Sequence, residues 1–409
     1  MIMKLTPKGM RDFPPEEMIV RESVTSTIID IYRKYGFRPM DTPAMEYLDT
    51  LRAKAGEEID QQIFVLKEEK LALRFDLTVP LARVAANSDF PKPFKRYYIG
   101  PVWRREEPQK GRFREFYQAD VDIIGTKTMR AEAELLTLSH ELCGIFGFKK
   151  PQIILNNRKI LEGLAKKVGF EKKKDEVLRL LDKMDKIGED AVEEGLRDIL
   201  GTRADELMEY TASKKSNEEK LESVREISGE GVEELEEILS LCDFPVEIDL
   251  SMVRGLGYYT GPVFEIKLSK DIGTVMAGGR YDSLLGIYGR EDCATGISVG
   301  IERLITLILE KTKSRKTYSE VFVACAKQDF YKDTVKLANY LRQNGVSAET
   351  DLNGRNLRKQ FDYANSLSIP YTIVVGEREI KSGSFTLRDM VNGNEEFLKK
   401  EKIVEKLKA

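Results

Sequence analysis

Histidine and cysteine are scarce in this sequence, and their scarcity excludes several kinds of chemistry. Cys143, Cys242, Cys293 and Cys325 lie far apart without a Cys-x-x-Cys pair, which argues against a zinc site and favours free thiols. The single histidine, His140, lies in a helical pattern and is interpreted as an ordinary helix residue. Histidine-based triads and multi-histidine metal sites are therefore excluded. Any chemistry must use arginine, carboxylate, tyrosine or a metal held mainly by substrate.

Long apolar runs are also missing. No stretch approaches the length of about 18 apolar residues expected of a membrane span, and the N-terminus has no signal-peptide core. The sequence thus predicts a cytoplasmic protein without a membrane partner. Its 409 residues, 41% hydrophobic and 33% charged with a net charge of −3, are enough for two or three globular domains.

The stretch from residue 95 to residue 125 is the most informative part of the chain. It predicts two antiparallel strands joined by a polar turn at residues 108–111. Because side chains alternate along a strand, Arg104 and Glu106 are predicted to share one face of the first strand. On the second strand the same rule places six side chains on one face, namely Arg112, Arg114, Phe116, Gln118, Asp120 and Asp122.

Two interpretations of this hairpin remain open on pattern alone. It could be an exposed polar face on a half-buried hairpin, as most such alternation is. The order of the side chains favours a ligand site, since arginines and an aromatic lie near the turn and an amide and two carboxylates lie farther along. Guanidinium groups match phosphate oxygens, an aromatic ring stacks on a base, and carboxylates attract an ammonium group.

These residues resemble motif 2 of class II aminoacyl-tRNA synthetases, in the form found in histidyl-tRNA synthetases, through WRRE, RF and FYQADVD. The resemblance implies that Arg104 holds the α-phosphate of ATP and the amino acid's carboxylate. It also implies that Glu106 contacts the adenine side, Arg112 the γ-phosphate, and that Phe116 stacks on adenine. Gln118 and Asp122 would recognise histidine. Many members have Glu at the position of Asp122, so this contact is shorter by one methylene here.

Two upstream segments extend the resemblance. GFRPMDTPAMEY is similar to motif 1, which builds the dimer interface, although an edge strand carrying prolines explains it equally well. LALRFDLTVPLARVAAN predicts a short strand followed by a helix that Asp76 or Thr78 could cap. In the resembling family the DLT triplet touches the substrate's amino group, which gives Asp76 and Thr78 a second interpretation. Asp76 replaces a Glu common among relatives.

Three downstream segments complete the resemblance. RGLGYYTG is neither a dinucleotide fingerprint nor a P-loop, and it resembles a motif of histidyl-tRNA synthetases in which Arg254 is the catalytic arginine and Tyr258 and Tyr259 shape the imidazole pocket. AGGRYD, predicted as a strand followed by a helix, would place Tyr281 in the histidine pocket. A third strand and helix resemble motif 3, where Arg303 would hold the γ-phosphate and stack against adenine.

The predicted fold is α+β, with an antiparallel-sheet class II catalytic domain, a helical insertion and a smaller α/β anticodon-binding domain. The catalytic domain is predicted in two parts, 1–155 and 241–315. Between them, residues 156–240 are rich in acidic residues and helical patterns. Residues 318–409 alternate strands and helices, and a generic α/β domain without an RNA role is the alternative there.

The resemblance implies ATP-dependent ligation of L-histidine to tRNA(His) through a histidyl-adenylate, by a homodimer that takes Mg²⁺ with ATP. No metal site built by the protein itself is expected. A regulatory relative that senses histidine without tRNA activity is the main alternative, but such relatives typically lack the C-terminal domain and several arginines. A synthetase for another amino acid would have to explain RGLGYYTG and AGGRYD.

Overall fold

The computed structural model of the chain describes residues 5–53, 57–67, 70–109, 111–211, 215–253, 257–311 and 315–408. The chain forms two compact units, the first made of Met1–Asp12 and Val24–Lys311 and the second of Phe13–Ser23 and Thr312–Ala409. Within the described helices, none is long and apolar enough to span a membrane. Arg254, for which the sequence predicts the catalytic role, lies outside the described residues.

The strands of the described residues are, in chain order, β1 (Arg38–Pro39), β2 (Met45–Tyr47), β3 (Leu71–Leu73), β4 (Phe94–Trp103), β5 (Glu115–Ile124), β6 (Gln152–Asn157), β7 (Glu247–Ile248), β8 (Pro262–Lys267), β9 (Thr274–Arg280), β10 (Ala294–Gly300), β11 (Val321–Cys325), β12 (Ala348–Thr350), β13 (Tyr371–Val375), β14 (Ser384–Asp389) and β15 (Glu395–Lys399).

The α-helices are α1 (Pro15–Lys34), α2 (Leu48–Arg52), α3 (Glu57–Gln62), α4 (Thr78–Ala86), α5 (Arg130–Ile145), α6 (Arg158–Val168), α7 (Lys174–Leu181), α8 (Met184–Ile187), α9 (Glu189–Leu200), α10 (Arg203–Thr211), α11 (Asn217–Val224), α12 (Gly229–Leu241), α13 (Ile301–Lys311), α14 (Tyr331–Gln343), α15 (Leu357–Ser366), α16 (Glu377–Ser382) and α17 (Lys400–Lys408). Short 3₁₀ turns lie at Glu171–Lys173, Leu285–Tyr288 and Gln328–Phe330.

An eight-stranded sheet organises the first unit, in the order β1-β4-β5-β10-β9-β8-β6-β7. Its central pairs, from β4 to β6, are antiparallel, and parallel pairing is confined to β1 with β4 and β6 with β7. One side of β5 is apolar and buried through Ala119, Val121 and Ile123. The hydroxyl of Tyr32 on α1 donates to the Ala119 carbonyl, and α13 packs against β5. The opposite side of β5 is left for polar side chains.

The stretch between β6 and β7 is helical, as predicted, and contains α6 to α12. Apolar side chains from several of these helices, including Leu161, Val177, Leu196 and Leu207, form a core of their own. The side chain of Asn157 accepts from the N–H of Lys159 and caps α6. The amphipathic pattern of the sequence therefore corresponds to a packed helical layer with solvated outer faces.

The second unit contains a five-stranded sheet in the order β12-β11-β13-β14-β15. Strands β12, β11 and β13 are parallel, whereas β14 and β15 join as antiparallel strands. Helices α14 and α15 follow strands β11 and β12, as the alternating pattern predicted. The α+β prediction, a large and mainly antiparallel sheet with a smaller α/β unit, is confirmed.

One local prediction was wrong, and another corresponds to a shorter element than expected. The helix predicted after β9 is the short 3₁₀ helix Leu285–Tyr288. Strand β4 ends at Trp103 and β5 begins at Glu115, so Arg104 and Arg112 lie in the connection instead of on the strands. Alternation does not govern side-chain direction there, and the guanidinium of Arg114 turns to the carbonyl of Glu106.

Candidate active site

A cavity of about 310 Å³ opens on the polar side of the large sheet. It gathers residues from β5, β9, β10, α4 and α13, and from the connection between β4 and β5. The predicted site residues that line it are Asp76, Thr78, Arg104, Glu106, Arg112, Phe116, Gln118, Asp122, Tyr258, Tyr259, Tyr281 and Arg303. All the predicted residues that fall within the described part of the chain therefore meet in one cavity.

Small residues on β10 make room for this cavity. Gly296, Ser298 and Gly300 alternate along the strand and pair in register with Asp122, Asp120 and Gln118 of β5, in that order. Because cross-strand partners point to the same side of a sheet, the longer side chains of β5 project over a nearly bare neighbouring strand. The alternation predicted from sequence holds for Gln118 and Asp122 because both lie inside β5.

The floor of the cavity contains a buried hydrogen-bonded group around Asp122. The hydroxyl of Tyr281 donates to Oδ1 of Asp122 over 2.5 Å, and the guanidinium of Arg96 lies 3.4 Å from Oδ2. Asp122 and Arg96 are nearly inaccessible to solvent, and Arg96 also donates to the carbonyl of Leu77. Burial raises the pKa of Asp122, while Arg96 and Tyr281 oppose that change.

Asp120 lies beside Asp122 on the same floor. Burial, together with the nearby charge of Asp122, raises the pKa of Asp120 to about 7, against the opposing effects of Arg96 and Ser298. The amide of Gln118 donates to the hydroxyl of Ser298 over 2.6 Å. This hydrogen bond uses the NH₂ group of the amide and leaves its carbonyl oxygen available to accept from a ligand.

Asp76 lies at the edge of the floor, just before the start of α4. Its Oδ1 accepts the N–H of Val79 over 3.0 Å, and the hydroxyl of Tyr258 lies 3.4 Å from its Oδ2. Burial raises the pKa of Asp76 to about 6, although the Val79 N–H and the charge of Arg104 act to lower it. The capping interpretation and the ligand interpretation of this residue are thus compatible, since each uses a different carboxylate oxygen.

Several acceptor atoms on the floor have no hydrogen-bond partner within the described parts of the chain. They are Oε1 of Gln118, Oδ1 of Asp120 and Oδ2 of Asp122. Buried acceptors without partners are costly, and native proteins usually satisfy them with water or ligand. The floor is therefore suited to a ligand that carries several N–H donors and a positive charge.

Cationic groups collect nearer the mouth of the cavity. Nε of Arg104 donates to the carbonyl of Phe75 over 2.9 Å, which fixes the direction of its guanidinium, and that group lies 5.2 Å from the ring centre of Phe116. The carboxylate of Glu106 lies 3.9 Å from Nη1 of Arg104 and 3.6 Å from Nη1 of Arg112. Arg112 is about half exposed, whereas Arg104 is mostly buried.

Arg303 reaches the cavity from the first turn of α13. Its guanidinium donates to the carbonyl of Thr274 at the start of β9, and its Cγ lies close to Gly111. A cation in the first turn opposes the positive end of the helix dipole, so an anion bound nearby would be favourable. Arg104, Arg112 and Arg303 thus face one cavity, as predicted for three of the four arginines.

The sequence did not single out Arg96, Ser298 or Glu302 as site residues. Arg96 reaches Asp122 through strand pairing of β4 with β5, and Ser298 reaches Gln118 through pairing of β10 with β5. Glu302 lines the cavity and accepts the backbone N–H of Tyr117 over 2.9 Å. Alternation along β4 predicts that Arg96 shares a face with Tyr98 and Gly100. It does not predict that Arg96 lies beside Asp122, because that depends on the register of β4 against β5.

The family models and the relatives with similar sequences all indicate one family. Residues 9–304 match the family model for histidyl-tRNA synthetase, and residues 320–409 match the model for the anticodon binding domain. The histidine–tRNA ligase of Aeropyrum pernix is 41% identical over 408 residues, spanning 95% of this chain and 94% of that protein. The histidine–tRNA ligase of Finegoldia magna is 39% identical over 433 residues, spanning 100% of both.

A solved structure supports the same similarity. The crystal structure of histidyl-tRNA synthetase from Nostoc sp. PCC 7120 matches with a TM-score of 0.87 at 29% identity, covering 100% of this chain and 99% of that chain. The similarity therefore includes both compact units.

Proposed function

Since this chain belongs to the histidyl-tRNA synthetase family, we propose that its cavity holds histidine on the floor and ATP at the mouth, aligned for adenylate formation. The chain is an aminoacyl-tRNA ligase that uses ATP to join L-histidine to tRNA(His). The observation that supports the proposed arrangement is the meeting of three guanidinium groups and three buried aspartates in one cavity.

Histidine fits the floor through its nitrogen atoms. Its ammonium group matches the Asp76 carboxylate and the hydroxyl of Thr78, and its two ring nitrogens match the polar groups of Gln118, Asp122 and Asp120. A site that pairs both ring nitrogens strongly rejects apolar amino acids, because its buried acceptors would otherwise remain unsatisfied. Tyr258, Tyr259 and Tyr281 form the walls around the ring.

ATP fits the mouth through its phosphates and base. Arg104 lies between the floor and the mouth, so it can hold the histidine carboxylate and the α-phosphate together. Arg112 and Arg303 then take the phosphates that leave as pyrophosphate, while Phe116 and Glu106 hold the adenine. The carboxylate oxygen attacks the α-phosphorus and the bond to the bridging oxygen of pyrophosphate breaks, so alignment and charge stabilisation supply most of the catalysis.

Mg²⁺ belongs to this proposal as an ion that enters with ATP and offsets phosphate charge. The described residues contain no group of three or more His, Cys, Asp or Glu side chains that could hold a metal. Mg²⁺ prefers phosphate oxygens and water with one or two protein carboxylates, so a single carboxylate beside the bound phosphates would be enough for it. Glu302, a buried carboxylate next to Arg303, is the protein ligand we assign to it.

The remaining partners follow the same proposal. The C-terminal unit belongs to the anticodon-binding family and would contact the anticodon of tRNA(His). The helical stretch from α6 to α12 would approach the acceptor stem only locally, since its acidic character opposes broad phosphate contact. The proposal also includes a homodimer formed through the residues similar to motif 1 and a cytoplasmic location.

Histidine-dependent ATP–pyrophosphate exchange tests the proposal directly. The wild-type protein should catalyse exchange with histidine and with no other standard amino acid. Arg254→Ala should lower the exchange rate by about 100-fold, the loss typical of removing one preorganised donor from a developing charge. Histidine binding without any exchange would instead favour a histidine sensor, and near-normal exchange in the variant would remove Arg254 from the mechanism.

A further inference from the structure

Residues 6–12 form a short segment that lies against the connection between β4 and β5, at the ATP end of the cavity. We call this segment the N-terminal strap. A turn shapes it, in which the N–H of Met10 donates to the carbonyl of Pro7 and the hydroxyl of Thr6 donates to the carbonyl of Met10, each over 3.0 Å. None of the strap residues lines the cavity, so substrate contact does not explain the segment.

The strap contacts the connection between β4 and β5 at three points. The N–H of Arg114 donates to the carbonyl of Gly9 over 2.7 Å, and Nζ of Lys8 lies 2.8 Å from a carboxylate oxygen of Glu107. The guanidinium of Arg11 lies 4.6 Å from the ring centre of Phe113, a residue that lines the cavity. The strap thus touches the segment that supplies Glu106, Arg112 and Phe113 to the site.

Gly9 is the closest point of this contact. Its φ of +80° is a conformation that side chains rarely adopt. A Cβ added at this position would lie 2.7 Å from Cγ and 2.9 Å from Cδ of Arg114, and 2.9 Å from Cγ of Pro108. A side chain at position 9 would therefore require Arg114 or Pro108 of the connection to move.

Arg114 links the strap to the phosphate-binding side chains. Its carbonyl accepts the N–H of Arg104 over 2.9 Å, and its guanidinium donates to the carbonyl of Glu106 over 3.1 Å. A shift of Arg114 away from Gly9 would therefore move the connection at Glu106. The guanidinium of Arg104, which the proposed arrangement places on the histidine carboxylate, has its own anchor on the carbonyl of Phe75 and would keep its direction. The strap contacts given above all reach the connection, whereas the floor of the cavity is built on β5 and β10.

We propose that the N-terminal strap is a positioning element for ATP: by seating Gly9 against Arg114 and Pro108, it sets the placement of the connection that carries Glu106 and Arg112. The inference rests on the assignment of ATP to the mouth of the cavity. The inference predicts different effects on the two substrates. A change in the strap should weaken the binding of ATP and leave the recognition of histidine on the floor unchanged.

Gly9→Ala tests the strap, and Gly147→Ala is its matched control. Gly147 has almost the same backbone conformation, with φ of +78°, but a Cβ there would meet no described atom within 4 Å. Both variants therefore carry the same conformational strain, and only the first pushes on the connection. KM values for ATP and for histidine should be measured by pyrophosphate exchange, with thermal unfolding of each variant as a check on folding.

Gly9→Ala should raise KM for ATP about tenfold, well within the ~100-fold cost of misplacing a reacting group by about 1 Å. KM for histidine should stay within about twofold of wild type in both variants, since the floor is unchanged. Equal KM values for ATP in the two variants, or a joint rise for both substrates in Gly9→Ala, would overturn the positioning role.

Calorimetric titration with ATP separates this inference from the proposed function. Weaker ATP binding in Gly9→Ala than in Gly147→Ala supports the strap even in a protein that shows no histidine-dependent exchange. Normal exchange in the wild type with equal ATP affinity in both variants would leave the proposed function intact and refute the strap.

Discussion

Among single residues, Tyr281 offers the clearest test of histidine recognition. Tyr281→Phe removes the hydroxyl that donates to Oδ1 of Asp122 and holds this carboxylate in the orientation proposed for histidine recognition, a hydrogen bond to a charged group that contributes about 1.5–3 kcal/mol. KM for histidine should therefore rise about tenfold or more. Tyr288→Phe is the matched control, because the Tyr288 hydroxyl donates to the carbonyl of Thr50 and does not line the cavity. Equal effects of the two changes on KM for histidine would contradict the assignment.

The buried carboxyl of Asp120 predicts a pH dependence of stability without ligand. Its folded pKa of about 7 lies above the ordinary value of about 3.9, so the folded state retains a proton that the unfolded state releases between these values. Stability without ligand should thus fall as pH rises from about 4 to 7. Urea unfolding across this range should show a shallower fall in Asp120→Asn. Asp89→Asn, which changes a 96% exposed side chain, should leave the slope unchanged.

At the scale of elements, β10 keeps the cavity open by having almost no side chains on its polar side. A Cβ at Gly296 would lie 2.2 Å from Oδ1 of Asp122, whereas a Cβ at Gly300 would meet its nearest atom at 3.5 Å. Gly296→Ala should therefore lower the free energy of unfolding by about 1–3 kcal/mol and weaken histidine binding. Gly300→Ala should cost less stability, as measured by urea unfolding. The reverse order of stability would show that Gly296 does not shape the floor.

The elements also show how far the sequence could predict the site. The two-residue period of β5 correctly grouped Phe116, Gln118 and Asp122, because this period is a local property of the strand. It failed for Arg114, which precedes the strand and whose guanidinium donates to the carbonyl of Glu106. Arg96 and Ser298 join the floor through strand register, which depends on contacts between distant segments and cannot be counted along the chain.

At the scale of the whole molecule, the described cavity residues all lie in the first compact unit, whereas the anticodon-binding match lies in the second. Histidine at about 100 times its Kd should stabilise the unit that binds it by about 2.7 kcal/mol. Hydrogen exchange should therefore slow in β5 and β10 when histidine is added and remain unchanged in β11 and β13. An RNA hairpin with the anticodon arm of tRNA(His) should give the opposite pattern.

Tyr281→Phe supplies the control for this experiment. Because this variant should bind histidine more weakly, histidine at the same concentration should slow hydrogen exchange in β5 and β10 less than in the wild type. The RNA hairpin should slow exchange in the variant and in the wild type equally. Because each ligand slows exchange only in the unit whose folded form it binds, the two responses should be separable in one protein. Equal protection of both sheets by histidine would mean that the two units open together and that their division does not separate amino-acid binding from RNA binding.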